Sequence, residues 1–317
     1  MQNLSRDIID FLRTHRSFAI IGHEEPDGDC LCSQLVLANI VRKLEKQAIC
    51  YSPGPFLRPE LSDLKAQIST AHLQDEEAVI IVDCSTPKRI GDYDAQLKGL
   101  PVAVIDHHSS GVPFGDVRFV NPNAPSVTYM VLQIIEELGE KPDQWEAELI
   151  LFGLCTDTGF FRHLEEGTAE VFAAVSRLVE YGASPKTIHR RMYGNRSYES
   201  RKLLGKLIER AEEFLDGRLL ATWENSQDIR TFGKSNRDSD TLFQQLQGVR
   251  NCQIIVLVRE EGDGTCSVSL RSSNGIDVGA TAQHFGGGGH AKAAGYTRTG
   301  NAKQVKEEIV ELFKNQL

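Results

Sequence analysis

Short apolar runs alternate with amphipathic stretches through the first half of the chain, and most of the runs break off into acidic or imidazole side chains. Phe18 to Gly22, Ala48 to Tyr51, Ala78 to Val82 and Val102 to Ile105 are continuous and apolar, the pattern of strands buried on both faces. Apolar residues spaced by three and four predict helices at Leu4 to His15, Leu31 to Lys46, Ser126 to Leu138, Trp145 to Leu154 and Thr168 to Tyr181, the last capped by Gly182. Strands alternating with helices predict an α/β domain with a mainly parallel sheet and helices on both faces, whose ligands lie beyond the C-terminal strand ends. Ser184 to Glu213 reads as charged helix. Beyond it, strands are predicted at Arg218 to Trp223, Cys252 to Val258 and Cys266 to Leu270, and helices at Asp277 to Phe285 and Ala302 to Phe313. The polar stretch Asn225 to Asp240 reads as a mobile loop. The expected organisation is a parallel-sheet domain over residues 1–187, a helical connector over 188–213 and a smaller α/β domain over 214–317.

The chemistry gathers where the runs stop. Phe18 to Gly22 is followed by His23, Asp27 and Asp29. Ala78 to Val82 is followed by Asp83, and Val102 to Ile105 by Asp106, His107 and His108. A fourth apolar run, Leu149 to Leu154, leads into Asp157, expected at a helix C-terminal end. One aspartate after a strand is ordinarily a cap or a turn former. Four such ends in one half of a chain point to a shared metal site. His23, Asp27, Asp29, Asp83, His107 and Asp157 offer enough nitrogen and oxygen donors for two octahedral divalent ions completed by water. Two ions about 3.5–4 Å apart suit water activation and phosphoryl transfer.

Bulk composition narrows the classes. The chain has 317 residues, 40% hydrophobic and 25% charged, with a net charge of −9. That balance suits a soluble globular protein. It argues against a grip on long duplex DNA through many phosphates and permits a small phosphorylated ligand held by local cations. No run is long enough to span a bilayer, and Met1 to Asp7 lacks the basic-then-apolar pattern of a secretory signal, so the cytoplasm is the expected location. Seven cysteines with no Cys-x-x-Cys pair argue against a disulfide framework and a structural zinc site. Cys30 and Cys32 flank the first acidic motif and read as packing thiols, with soft-metal binding as the alternative.

The set His23-x-x-x-Asp27-x-Asp29, Asp83, Asp106-His107-His108 and Thr156-Asp157-Thr158-Gly159 resembles the four motifs of the DHH phosphoesterase superfamily. Val268 to Ser272, Ile276 to Val278 and Phe285 to Gly295, which holds four consecutive glycines and His290, resemble the DHHA1 domain. The likeness covers nearly the whole chain, and its two-domain layout resembles the group of oligoribonucleases and phosphoadenosine-phosphate phosphatases often called NrnA. The resemblance implies one manganese ion on His23, Asp27 and Asp83, and a second on Asp29, Asp83, His107 and Asp157. Asp83 would bridge, His108 would face the scissile phosphate, and Asp106 would orient an imidazole. Cys30 and Cys32 depart from the family, which has small residues there.

For the second domain, Gly287, Gly288 and Gly289 allow backbone N–H groups to cradle an anion, and His290, Arg271 and Ser272 add donors. Arg suits bidentate phosphate contact. Arg162 is a weaker candidate, with a surface ion pair as its ordinary role. The expected substrates are short single-stranded RNA and nucleoside bisphosphates such as 3'-phosphoadenosine 5'-phosphate, with no membrane partner; a homodimer is compatible with the sequence. Alternatives are a cyclic or linear dinucleotide phosphodiesterase, a single-strand exonuclease, a pyrophosphatase, and a non-catalytic nucleotide-binding regulator. The pyrophosphatases lack the Gly286 to His290 pattern, processive exonucleases carry additional nucleic-acid-binding domains, and a regulator would be expected to have lost ligands.

Overall fold

Five strands lie side by side, all parallel, in the order β2-β1-β3-β4-β5: β1 (Ser17–Ile21), β2 (Gln47–Tyr51), β3 (Ala78–Val82), β4 (Val102–Asp106) and β5 (Val117–Val120). β3 and β4 are buried at every position, as their unbroken apolar sequences require. β5 was not foreseen: it is a four-residue edge strand in which only Phe119 is buried, so it shows no apolar run. The computed structural model describes residues 4–108, 111–273 and 276–314, in two units that divide between Gly194 and Asn195; of the N-terminal stretch Met1 to Asp7, Met1 to Asn3 lie outside the described residues.

In the first unit, α1 (Leu4–Thr14), α2 (Gly28–Lys43), α3 (Val127–Glu137) and α4 (Gln144–Asp157) share one large core with the sheet. α2 begins three residues before the expected Leu31 because Asp27 caps it, its carboxylate accepting from Cys30 N at 3.1 Å. α4 is buried from Leu149 to Cys155 and packs against α2, α3, α5 (Ala169–Glu180) and α6 (Pro185–Tyr193). The opposite sheet face is covered by the 3₁₀ segment Pro87–Gln96, through Ile90 and Tyr93, and by loops. Helices therefore cover both faces, α-helical on one and 3₁₀ on the other.

The second unit has a six-stranded sheet in the order β10-β11-β9-β8-β7-β6: β6 (Glu212–Phe214), β7 (Leu219–Glu224), β8 (Ile254–Glu260), β9 (Thr265–Ser272), β10 (Gly288–His290) and β11 (Ala293–Thr299). Only β7 and β8 are parallel neighbours. α10 (Val278–His284) and α11 (Ala302–Lys314) pack on one face. α7 (Tyr198–Glu209) and α9 (Ser239–Gln247) pack on the other.

Two expectations are corrected. The stretch 188–213 is not one connector: Ile188 of α6 is buried in the first unit, whereas Leu203 and Leu207 of α7 are buried in the second. Asn225 to Asp240 is not a loop. It holds α8 (Ser226–Phe232), started by reciprocal hydrogen bonds between Asn225 and Asp228, and a 3₁₀ turn. Its polar residues are caps and ion-pair partners: Arg237 reaches the buried Glu224 at 2.9 Å, and Arg259 reaches it at 3.0 Å. Among the described residues no helix is long and apolar enough to cross a membrane.

Candidate metal centre

Parallel strands deliver their C-terminal ends to one edge of the first sheet. There the chain order reverses between neighbours β1 and β3, the place where ligands sit in open α/β sheets. His23 follows β1, Asp83 follows β3, and Asp106 ends β4 with His107 and His108 next. Asp29 lies in the first turn of α2 and Asp157 is the last residue of α4. Gly153 lets α4 come this close: a Cβ there would sit 2.4 Å from the Thr128 methyl and 3.1 Å from Asp29 Oδ1.

Among the described residues three groups of donors could each hold a metal ion: His23, Cys30 and Asp83; Asp83, His107 and His108; and Asp29, His107 and Asp157. Asp83 belongs to two of them and reaches in both directions. His23 Nε2 lies 3.4 Å from Asp83 Oδ2, and His107 Nε2 lies 3.6 Å from Asp83 Oδ1 and 3.0 Å from Asp157 Oδ2. Asp27 is outside these groups; it caps α2, and its charge acts on His23, Asp83 and Asp157.

The surroundings orient the imidazoles. His23 Nδ1 lies 2.6 Å from Glu24 O, and His107 Nδ1 lies 3.1 Å from Ala124 O. The Ala124 carbonyl can only accept, so the neutral His107 ring carries its proton on Nδ1 and turns Nε2 to the carboxylates, whereas His23 Nδ1 lies between Glu24 O, which can only accept, and Arg89 Nη2, which can only donate. His108 Nδ1 lies 2.7 Å from Asp106 Oδ1, so Asp106 holds this ring with Nε2 on the far side. Asp29 accepts from Val127 N (2.6 Å), Thr128 N (2.8 Å) and Thr128 Oγ1 (2.6 Å) at the start of α3. Arg89, which the sequence left without a role, lies with Nη2 3.0 Å from His23 Nδ1.

The electrostatics fit a missing positive charge. Asp83 is 2% exposed, and its Oδ1 has no hydrogen-bond partner among the described residues. Burial, then the charges of Asp27, Asp29, Asp157 and Asp106, hold its carboxyl well above the usual range. Burial and the neighbouring Asp157 push Asp29 up to about 7. Burial would lower His107, but its hydrogen bond and charge interaction with Asp157, followed by Asp29, lift it to about 9. A buried carboxylate with an orphaned oxygen, ringed by like charges, is costly alone and well suited to divalent cations.

A pH dependence follows. Asp29 and His107 both titrate above their ordinary values, so the metal-free fold keeps protons there that the unfolded chain releases. That stability is present at low pH and is lost as pH rises through about 7 and then about 9. A divalent ion binds the deprotonated forms. The melting-temperature gain from Mn2+ over chelated protein is therefore expected to widen from about pH 6 to about pH 8.5. A gain independent of pH would show that these groups do not ligate.

In the second unit the ladder pairs His290 with Ala293 and Ala293 with Arg271, so both long side chains stand on one face with a small residue between. The Arg271 guanidinium lies 4.5 Å from the Phe243 ring centroid, and His290 is exposed. Ser272 is on the other face and donates its hydroxyl to Ile276 O at 2.6 Å and Ala291 O at 3.0 Å. Gly287 and Gly289 pack so closely on β11 that a Cβ would clash with backbone, whereas a Cβ on Gly288 would meet nothing. The structure thus places Arg271, His290 and open space at Gly288 together and leaves Ser272 out. Arg162 is exposed, 3.3 Å from His163 Nε2.

Residues 17–154 match the DHH family, N-terminal domain, and residues 226–317 match the DHHA1 domain. Over 304 residues the chain is 30% identical to the bifunctional oligoribonuclease and PAP phosphatase NrnA of Thermus thermophilus, covering 94% of this chain and 89% of that one. The chain belongs to the DHH family. Two solved structures show the same fold. An exopolyphosphatase-related protein from Bacteroides fragilis has a TM-score of 0.85 at 22% identity, covering 100% of this chain and 98% of that one. The exonuclease RecJ, solved bound to manganese, has a TM-score of 0.59 at 14% identity, covering 99% and 95%. The DHH match runs from the first residue of β1 into α4 and so takes in every candidate ligand except Asp157.

Proposed function

We propose that this DHH-family chain is a phosphoesterase that hydrolyses short RNA to mononucleotides and removes the 3'-phosphate of 3'-phosphoadenosine 5'-phosphate. The observation that carries this reading is the buried Asp83, reaching toward His23 on one side and toward His107 and His108 on the other. The Thermus thermophilus relative, matched along nearly its full length, supports the substrate class. His23, Asp27 and Asp83 would hold one divalent ion, and Asp29, Asp83, His107 and Asp157 the other. Oxygen-rich donors with imidazole suit Mn2+. When bound, such ions lower the pKa of a water and neutralise phosphoryl charge. The chain's own residues orient the reaction: Asp106 fixes the His108 ring, leaving Nε2 to contact the phosphate or pass a proton to the leaving oxygen. In the second unit Arg271 and His290 would take the phosphate that does not react.

The test is a length series of single-stranded RNA in Mn2+ at fixed salt, with the bisphosphate, a cyclic dinucleotide and pyrophosphate alongside. With a net charge of −9, the chain has little long-range attraction for a polyanion. Catalytic efficiency, kcat/KM, is expected to peak at about two to five nucleotides, a range set by the size of ordinary ligand clefts. It should fall with length, and duplex should react poorly. Efficiency rising steadily with length would favour a processive nuclease, and no turnover of any substrate would favour a nucleotide-binding regulator.

A further inference from the structure

We propose that Cys30 is a thiolate ligand of the ion held by His23 and Asp83, and that it gives this position a preference for borderline-soft divalent cations such as Zn2+, Co2+ or Cd2+. The inference rests on the two-ion reading above and adds a ligand to it. Cys30 Sγ, a ring nitrogen of His23 and a carboxylate oxygen of Asp83 lie within 4.8 Å of one another, and all three residues are buried. The 3.4 Å between His23 Nε2 and Asp83 Oδ2 is close to the spacing of two donors each about 2.0–2.1 Å from one tetrahedral ion.

The two cysteines of the motif have different surroundings. Cys32 belongs to the large apolar core with Leu31 and Leu35, and Cys30 does not. Its thiol is lodged at the end of β1: a Cβ on Gly22 would sit 2.4 Å from Sγ and 2.6 Å from Gln34 Oε1. Its backbone N–H is held by the Asp27 carboxylate. A buried oxygen without a hydrogen-bond partner among the described residues, Gln34 Oε1, lies at this corner, and Asp83 turns Oδ2 toward His23 beside it. Gln34 cannot turn its oxygen away, because Nε2 donates to both Ile20 O and Tyr51 O at 2.7 Å. The competing role for Cys30 is a plain buried packing thiol, which serine or alanine would also fill.

Carboxylates suit Mn2+ or Mg2+ and imidazole already tolerates borderline ions, whereas a thiolate shifts preference further toward softer ions. On binding, the metal–sulfur bond forms as the Sγ proton leaves to solvent, with no change of oxidation state.

The full chain is stripped of metal and titrated with Co2+, followed by absorption. The expected result is visible ligand-field bands together with a near-ultraviolet sulfur-to-cobalt charge-transfer band. Cys30→Ala and Cys30→Ser should lose the charge-transfer band while keeping the visible bands and the far-ultraviolet circular dichroism of the fold; Cys32→Ala should keep both bands. Cd2+ affinity by calorimetry should fall at least about tenfold in Cys30→Ala, the loss that even outer partners of a ligand cause. Cobalt bands without charge transfer in the wild type overturn the inference and leave the metal centre standing. Charge transfer that persists in both Cys30 variants also overturns it and points to another thiol, such as Cys84. Failure of the wild type to bind Co2+, Cd2+ or Mn2+ by calorimetry removes the metal centre, and the proposed function with it.

Discussion

Asp83→Asn is expected to lower Mn2+-dependent turnover by about a thousandfold or more, the scale set by loss of a single well-placed charge-stabilising group in other active sites. The same substitution is expected to leave the metal-free fold as stable as before, or more so. Asp83 has a φ of 56°, the left-handed region that Asn tolerates as well as Asp does. The substitution therefore adds no backbone strain, whereas Ala would add about 1–2 kcal/mol there. Burial and four neighbouring aspartates already oppose the charge of Asp83, so neutralising it relieves repulsion in the metal-free state. With the ions present the balance inverts: the carboxylate that reaches both donor groups is gone, and the stabilisation by Mn2+ should go with it. Turnover and thermal stability with and without Mn2+ form the measurement. Wild-type turnover in the variant would eliminate the site, and a variant that loses activity only because it unfolds without metal would leave the assignment unsupported.

His290→Ala and Arg271→Ala should each raise KM for dinucleotide or bisphosphate by roughly ten- to a hundredfold, the value of a hydrogen bond to a charged group. A chromogenic ester with a single phosphate should react almost as well as with the wild type, because these residues act on the phosphate that does not react. The two side chains share one sheet face with Ala293 between them, two strands apart, roughly 9–10 Å at the backbone. Side chains of their length can converge on one phosphate from that separation. Arg271 is further held over the Phe243 ring, which limits the freedom it loses on binding. Arg271→Lys separates charge from geometry: it keeps the cation and loses the planar fork, so an intermediate KM is expected. Equal losses on both substrate types would place these residues at the metal centre or in folding.

The sequence by itself determined β1 to β4 of the first sheet, β7, β8 and β9 of the second, and the apolar runs that lead into the candidate ligands, because these depend on local patterns; β5, β6, β10 and β11 were not among them. An apolar run ended by Asp83 or by Asp106, His107 and His108 is visible within ten residues, and so is the helix leading to Asp157. The DHH and DHHA1 motifs are equally local. What the tertiary structure decided depends on partners far along the chain. Asp29 is satisfied by Thr128, ninety-nine residues away, and Arg89 meets His23 from sixty-six residues away. Arg237 finds Glu224 and Glu261, turning a polar stretch expected to be a loop into ordered structure. The same holds for the strand register that puts Arg271 beside His290 and turns the adjacent Ser272 to the other face. Side-chain period along a strand is two, so neighbours in sequence part company and residues nineteen positions apart come to share one sheet face. Burial of Cys30 against the end of β1, outside the core that takes Cys32, is likewise a product of packing: both are small apolar residues to a sequence, and only the approach of β1 and β3 puts one of them beside His23 and Asp83.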